Sequence, residues 1–196
     1  MKRLSKFVVG LLVAGLGLFG CAMPPGQPGD GWITLLDGTD LNHWNLNGNA
    51  NWRLQDGVAV AEIGGGHLVS KNAYADFQLR AEFWVNTEAN SGIFIRCADP
   101  KKITAENCYE VNIFDTRPDP SYGTGGIPNF AVTKVPVKAG GQWNAYEITA
   151  KGSQLIVVLN GIETVNFRND KLAKGNITLQ YGGGVVKFRK VHIKPL

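Results

Sequence analysis

The feature that most constrains the fold is the division of the chain into short segments of β-type composition, separated by turn residues. From Trp32 onward, runs rich in β-branched and aromatic residues alternate with Gly, Asn and Asp, and no stretch has the periodicity of a long amphipathic helix. Asn160-Gly161 stands between two apolar runs, which predicts a tight β-hairpin. Many short strands at regular spacing predict an all-β fold, a β-sandwich or jelly roll.

The N-terminal segment is expected to lie outside that fold. A basic start precedes an apolar run too short for a comfortable membrane span, which predicts a secretory signal peptide over residues 1–20. The run ends in "LFGC", which resembles a bacterial lipoprotein signal and implies a lipid on Cys21; plain secretion with a free Cys21 is the alternative. Residues 21–31 are rich in Pro and Gly and are predicted to be a flexible tether. Ala22 directly follows Cys21, and Ala at this place favours sorting of a lipoprotein to the outer membrane. The domain is therefore expected in the periplasm, anchored by the lipid.

Charge and length limit the partners of the mature chain. Removing the signal leaves 17 Lys and Arg against 16 Asp and Glu, a net charge of +1. No basic run follows, so a nucleic-acid partner is not expected. Taking 20 residues from 196 leaves 176, which suffices for one domain, predicted over residues 32–196. A monomer is expected.

The stretch "YEVNIFD", residues 109–115, predicts a strand with one unusual face. Pairing it with "SGIFIRC", residues 91–97, keeps apolar side chains together when Ile95 lies opposite Val111. One face is then aliphatic and the other is polar and aromatic. The pairs predicted on that second face are Arg96 with Glu110, Phe94 with Asn112, and Gly92 with Phe114.

The strand "DFQLRAEFWV", residues 76–85, alternates in the same way. Because it directly precedes "SGIFIRC" in the chain, it is predicted to pair with that strand and to add Glu82 and Trp84 to the polar face. Carboxylates beside aromatic rings suit a sugar, whose C–H face packs on a ring while its hydroxyls bond to charged or amide groups. An ordinary solvated exterior with an exposed ion pair is the alternative.

Cys97 and Cys108 are predicted to form a disulfide. Once Cys21 is assigned to a lipid, they remain as a pair in an oxidising compartment, on either side of a short loop. Two buried thiols are the alternative. The register above counts against the bond, because it puts the two side chains on opposite faces unless pairing ends at Cys97.

Other chemistries have little support in the sequence. His43, His67 and His192 are scattered without ligand spacing, so neither a metal site nor another cofactor is predicted. The two "GGG" stretches do not precede a helix and therefore do not indicate a phosphate site. No nucleophile elbow is present.

An ordered set of motifs covers almost the whole mature chain. They are "WITLLDGTDLNHW" (32–44), "NWRLQDGVAV" (51–60), "NSGIFIR" (90–96), "YEVNIFD" (109–115), "TGGI" (124–127), "QWNAYEI" (142–148), "VLNG" (158–161) and "ITLQYGG" (177–183). In these motifs the chain resembles the bacterial 3-keto-disaccharide hydrolase domain family. The resemblance implies a concanavalin A-like jelly roll of two antiparallel sheets and a carbohydrate ligand. The chain departs from the family pattern at Trp84, Asn112 and Tyr181, where the family commonly has Arg, Gln and His.

The resemblance also implies a chemistry. A ketone at C3 of a glycoside acidifies the C2 proton, so a base can remove it and the C1 substituent can leave before water adds. The roles implied are base for Glu110, positioning of the enolate for Arg96, and acid or sugar binding for Asp115. The residues implied to bind substrate are Glu82, Trp84, Asn90, Phe94, Asn112 and Gln180.

Two other functions stay open at this stage. A glycosidase with paired carboxylates could use Glu82 and Glu110, if adjacent strands brought them together. A non-catalytic carbohydrate-binding module could use the same face without turnover.

Overall fold

The computed structural model describes residues 31–196, which form a sandwich of two antiparallel sheets. The strands are β1 Ile33–Leu36, β2 Trp44–Gly48, β3 Arg53–Gln55, β4 Val58–Ala61, β5 Gly66–Tyr74, β6 Phe77–Val85, β7 Ser91–Cys97, β8 Tyr109–Ile113, β9 Trp143–Lys151, β10 Gln154–Leu159, β11 Ile162–Arg168, β12 Gly175–Tyr181 and β13 Val186–Pro195. The larger sheet has the strand order β11-β10-β9-β6-β13-β4-β3, with β1 also pairing with β13, and the smaller has the order β2-β5-β12-β7-β8. This architecture confirms the predicted all-β sandwich. Within the described range no helix is long and apolar enough to cross a membrane.

The core lies between the two sheets and follows the alternation of the strands. In β6 the side chains of Phe77, Leu79 and Phe83 are almost completely buried, while Gln78, Arg80 and Glu82 point outward. The Phe83 ring stacks on Tyr146 of β9 with 5.0 Å between ring centroids. On the smaller sheet Ile93 and Val111 face the same core. Each sheet therefore has one apolar inner face and one outer face that is available for other roles.

The predicted pairing of β6 with β7 is wrong. β6 pairs with β9 and β13 in the larger sheet, and the chain crosses to the smaller sheet between Val85 and Ser91. Glu82 and Trp84 consequently lie on the outer face of the larger sheet, on the opposite side of the sandwich from Glu110. This separation also removes the pairing of carboxylates that a Glu82–Glu110 glycosidase would need.

The register of β7 with β8 differs by two residues from the predicted one. Ile93 lies opposite Val111, Phe94 opposite Glu110, and Gly92 opposite Asn112. Since side chains alternate with a period of two, a shift by two preserves the faces and changes only the partners. Glu110 and Asn112 therefore keep the predicted outer face.

Arg96 departs from that face because its backbone is left-handed, with φ 52°. The pairing of β7 with β12 is irregular at the same level. The Arg96 side chain is fully buried at one end of the sandwich, where Nη2 bonds to Asp76 Oδ1 at 2.9 Å. The predicted Arg96–Glu110 pair is therefore not formed.

The same irregularity brings the two cysteines together. It turns Cys97 to the outer side, where it packs with Phe94 and Cys108. Their Cα atoms are 4.3 Å apart and the sulfurs are bonded. The parity argument against this bond failed because it assumed a regular strand through Arg96.

We expect removal of the disulfide to destabilise the domain by about 2–4 kcal/mol, since the cross-link restricts the unfolded chain. Urea unfolding of the wild type with and without reductant measures this loss. The double variant Cys97→Ala/Cys108→Ala should match the reduced wild type and be insensitive to reductant. A wild-type unfolding midpoint that does not change on reduction would contradict the assignment.

Candidate functional site

The outer face of the smaller sheet carries two rows of side chains that run across its strands. The register aligns His67 of β5 with Gln180 of β12, and Thr178 with Phe94 of β7. Continuing that register places Gln180 opposite Gly92. We call these the first row and the second row. The first row is Asn47, His67, Gln180, Gly92 and Asn112; the second is Asn45, Val69, Thr178, Phe94 and Glu110.

The two rows contain buried polar atoms that have no hydrogen-bond partner among residues 31–196. Four of the eight such side-chain atoms in this range belong to these rows: His67 Nε2, Gln180 Oε1, Asn112 Oδ1 and Thr178 Oγ1. Buried polar atoms are nearly always hydrogen-bonded, so four on one face indicate a surface suited to a polar ligand. With strands about 4.8 Å apart, His67 and Asn112 lie roughly 14 Å from each other across the sheet.

Glu110 is the ionisable centre of this face. Its side chain is only 8% exposed and has neither an ion pair nor a hydrogen bond to the described residues. Burial raises the pKa of the Glu110 carboxyl to about 7, and the positive charge of nearby Arg117 only partly opposes this effect. Such a group can both accept and release a proton near neutral pH.

Gly92 makes room for the Glu110 side chain. A Cβ atom built on Gly92 would lie 3.3 Å from Glu110 Cγ and 3.4 Å from Oε1. The carboxylate therefore leans over Gly92, into the gap in the first row between Gln180 and Asn112. A ligand above Gly92 would meet the carboxylate and the amide of Gln180.

The remaining polar groups of the first row are neutral. Burial lowers the pKa of His67 to about 4, so the imidazole is uncharged at pH 7. Asn112 Nδ2 donates to the carbonyl of Tyr122 at 2.6 Å, and its Oδ1 is buried without a partner in the described range. Acceptors without charge suit the hydroxyl groups of a sugar.

A loop of residues 98–107 lies across part of this face. Asn47 Nδ2 donates to the carbonyls of Pro100 and Lys101, each at 3.1 Å, although Asn47 is on β2, at the sheet edge opposite β8. Ile103 of this loop packs on the buried cluster of Phe94, Cys97 and Cys108. Phe94, predicted to bind substrate, is only 3% exposed, so its ring offers almost no surface to a sugar.

Asp115 has a structural role and is not free to act as the predicted acid. Its carboxylate accepts hydrogen bonds from Thr124 Oγ1 at 2.6 Å and from the backbone N–H groups of Ala139 and Gly140 at 2.8 Å. These bonds tie the chain after β8 to the segment before β9. Three donors therefore hold the carboxylate in a fixed position.

Of three further residues predicted to bind substrate, Glu82 and Trp84 lie far from the two rows and Asn90 lies beside them. Glu82 forms ion pairs with Arg189 and Lys190 on the larger sheet, and Lys187 lies over the Trp84 ring. Both side chains are therefore absent from the Glu110 face. Asn90 directly precedes β7, bridges to Gly183 and borders the first row.

Sequence reasoning missed His67, Thr178, Gly92 and Arg117. The first two could have been found, because the alternation used for "YEVNIFD" also assigns faces in "GHLVS" and "ITLQY". Gly92 and Arg117 gain their roles only from the register and the turn after β8. In the described range no three His, Cys, Asp or Glu side chains meet in a group that could bind a metal ion.

The raised pKa of Glu110 makes stability depend on pH. Because the folded protein holds the proton more tightly than the unfolded chain, this stabilisation is complete below pH 4.5 and is lost as the pH rises through about 7. The loss corresponds to about 3 kcal/mol. His67 contributes in the opposite direction, since its stabilisation is lost as the pH falls from 6.5 towards 4.

Comparison with Glu110→Gln separates the two contributions. The variant should match the wild type at pH 4.5 and exceed its free energy of unfolding by up to about 3 kcal/mol at pH 8. Urea unfolding of both proteins over pH 4.5–8 measures the difference. A difference that does not change with pH would contradict the raised pKa.

Comparison with known proteins gives a consistent family and fold. The 3-keto-alpha-glucoside-1,2-lyase-like domain family matches residues 31–194. A 3-keto-disaccharide hydrolase of Bacteroides thetaiotaomicron is 28% identical over an alignment covering 61% of this chain; the chain spans about half, 52%, of that relative's length.

Solved structures share the fold. Two proteins described as glycosyl hydrolases from Parabacteroides distasonis superpose with TM-scores of 0.76 and 0.73, at 21% and 26% identity; they cover 85% and 84% of this chain, and the chain covers 94% and 99% of them. The carbohydrate-binding module CBM66 from Bacillus subtilis superposes with a TM-score of 0.60 at 14% identity, over 84% of this chain and 95% of the module. With its family match over almost the whole described range, the chain belongs to the 3-keto-alpha-glucoside-1,2-lyase-like domain family.

Proposed function

We propose that the protein cleaves 3-keto-glycosides by elimination followed by hydration, with Glu110 as the base. The carboxylate takes the C2 proton, and the C–H electron pair passes into an enolate at the C3 ketone. The enolate then forms the C1–C2 double bond as the C1–O bond breaks, and the leaving oxygen takes up a proton. Water adds across the double bond and restores a 3-keto sugar. The observation that carries this proposal is the buried, unpaired Glu110 carboxyl over Gly92, whose pKa is about 7.

The positive charge for the enolate is assigned to Arg117. The Arg96 side chain is held at one end of the sandwich by its hydrogen bond to Asp76. Arg117 follows β8, and its positive charge lowers the pKa of Glu110. Its side chain is half-buried and has no ion pair within residues 31–196. A cation close to the base stabilises the negative charge that forms as the proton leaves.

Gln180 is assigned to the hydroxyl groups of the sugar, because its half-buried amide lies beside Gly92 and its oxygen has no partner in the described range. Asn112 and Thr178 are fully buried and support the floor beneath the sugar. The half-buried His67 extends the polar surface towards β5, where a second sugar unit would lie. Neutral acceptors orient the substrate without competing with Glu110 for the proton.

The test uses oxidised and unoxidised substrates side by side. The protein is incubated with 3-keto-α-glucosides and with the parent α-glucosides, and the released aglycone or sugar is measured. Release from the keto substrates alone supports the proposal. Release from the parent glucosides would instead indicate a glycosidase, and saturable binding without release from either would indicate a carbohydrate-binding module.

We also propose that Cys21 carries a lipid that holds the domain at the periplasmic side of the outer membrane. Cys21 and the signal lie outside the described residues, so the proposal rests on the "LFGC" sequence. Cys21→Ser should release the protein from membranes on cell fractionation, because the lipid would be lost. A signal-cleaved variant that still sediments with membranes would contradict the anchor.

A further inference from the structure

A cavity lies on the opposite side of the sandwich from the two rows. It has a volume of about 220 Å³ and is bounded by the β3–β4 hairpin, Glu62, Trp143 and Lys187. Drug-sized ligands occupy cavities of roughly 300–1,000 Å³, so this one suits a single small ring. We call it the Trp143 cavity.

The floor of the Trp143 cavity is apolar although it lies on an outer face. Ala59 and Ala61 belong to the core between the sheets, so Val60 between them points outward. Val60 is nevertheless only 5% exposed, and it lies opposite Lys187. Val58, two residues earlier on the same face, extends this floor.

The aromatic wall is held in place before any ligand binds. The Arg189 guanidinium lies 3.8 Å from the centroid of the Trp143 ring. Glu82 accepts a hydrogen bond from Arg189 Nε at 2.6 Å and so fixes the guanidinium. A ring that is already ordered loses little conformational freedom on binding, which favours even a small ligand.

The rim of the cavity is polar and nearly balanced in charge. Gln55 at the end of β3 and Asp56 of the hairpin turn lie on one side, and Lys187 lies on the other. Glu62 pairs with Arg53 at 2.5 Å, which offsets its charge. No excess of one sign is present to select an ion, whereas an apolar floor, an aromatic wall and a polar rim together suit the C–H face and hydroxyls of a neutral sugar.

We propose that the Trp143 cavity binds one ring of a neutral sugar chain, independently of the site at Glu110. Binding there would hold the protein on a glycan while the other face acts on its own substrate. Glu82, which the sequence assigned to the substrate, would then act by positioning the wall of this second site.

The experiment titrates the protein with cellotriose, maltotriose and laminaritriose and follows tryptophan fluorescence. At least one trisaccharide should give a saturable change, because Trp143 lines the cavity. Val58→Phe fills the cavity and should weaken binding at least about tenfold. Asp56→Asn keeps a residue that tolerates the left-handed backbone at this position, φ 52°, and should weaken it less. Val132→Phe, at an exposed valine that does not line the cavity, is the matched control and should bind as the wild type does.

Three results would overturn the proposal. One is the absence of a saturable signal with any of the three trisaccharides. Another is wild-type affinity in a folded Val58→Phe protein. The third is loss of the signal in Gly92→Leu with retention in Val58→Phe, which would assign binding to the first row instead. Turnover of 3-keto-glycosides is unaffected by any of these results, so the two sites are tested separately.

Discussion

Glu110→Gln is expected to reduce turnover of a 3-keto-α-glucoside by ~10²-fold or more, while the protein stays folded and still binds its substrate. Glutamine has almost the same shape as glutamate, so the contacts above Gly92 persist. It cannot accept the C2 proton, and loss of a general base costs on the order of 10²–10⁴ in rate. Single-turnover kinetics of wild type and variant measure the effect directly.

Glu82→Gln is the matched control for this substitution. It also removes a carboxylate, but one that is ion-paired on the outer face of the larger sheet. Its turnover should equal that of the wild type. Equal loss in both variants would mean that the rate responds to a general change in charge or stability.

The pH dependence gives a second measure of the same group. The wild-type kcat/KM should rise with pH through about 7, where the Glu110 carboxyl loses its proton. Since Gln does not titrate, the residual rate of the variant should lack this step. A wild-type profile that is flat between pH 5 and pH 9, or full activity in Glu110→Gln, would remove Glu110 from the role of base.

Alternation in the sequence was sufficient to predict the fold class and the inward and outward residues of β6 and β8. In β8 it correctly put Glu110 and Asn112 on an outer face and Val111 in the core. The physical reason is that a wrong parity would bury carboxylates against aliphatic side chains. A shift by two residues has no such penalty, which is why the predicted partners were wrong while the faces were right.

Alternation could not assign a strand to a sheet. The outward residues of β6 satisfy their charges with β9 and β13, as in the Arg80–Glu147 and Glu82–Arg189 pairs. These partners are 60 or more residues away in the chain, and nothing local distinguishes them from a partner on β7. The predicted pairing of β6 with β7 relied on the assumption that consecutive strands are neighbours in one sheet. In a jelly roll the chain often crosses between the two sheets instead.

The burial of the candidate site could not be predicted from the sequence either. The pKa of Glu110 is raised because the folded chain removes water from its carboxyl. The side chain lies over Gly92, a neighbour that only the strand register brings to it. Composition gives the residue types of a site, whereas its electrostatics come from contacts between distant segments.

Arg96→Met is expected to cost on the order of 3–5 kcal/mol of folding stability, the largest effect of any single substitution considered for this domain. The buried guanidinium donates to the carbonyls of Ala75 and Gly152 at 2.8 Å and of Leu172 at 3.1 Å, and it pairs with Asp76. It therefore joins the β5–β6 turn to the β9–β10 turn and to the segment before β12. Methionine fills much of the space but leaves these acceptors without donors.

Arg80→Met is the matched control, because Arg80 pairs with Glu147 at 3.5 Å on an exposed surface, where such a pair is worth at most about 1 kcal/mol. Urea unfolding of the two variants should therefore differ by several-fold in the free energy lost. Turnover per folded molecule should be retained in Arg96→Met if its role is to join the two sheets. An Arg96→Met variant that unfolds like the wild type but loses turnover would contradict this structural role. It would support the catalytic role that the family resemblance implied for Arg96, and it would mean that the side chain can move from the end of the sandwich to the face above Gly92.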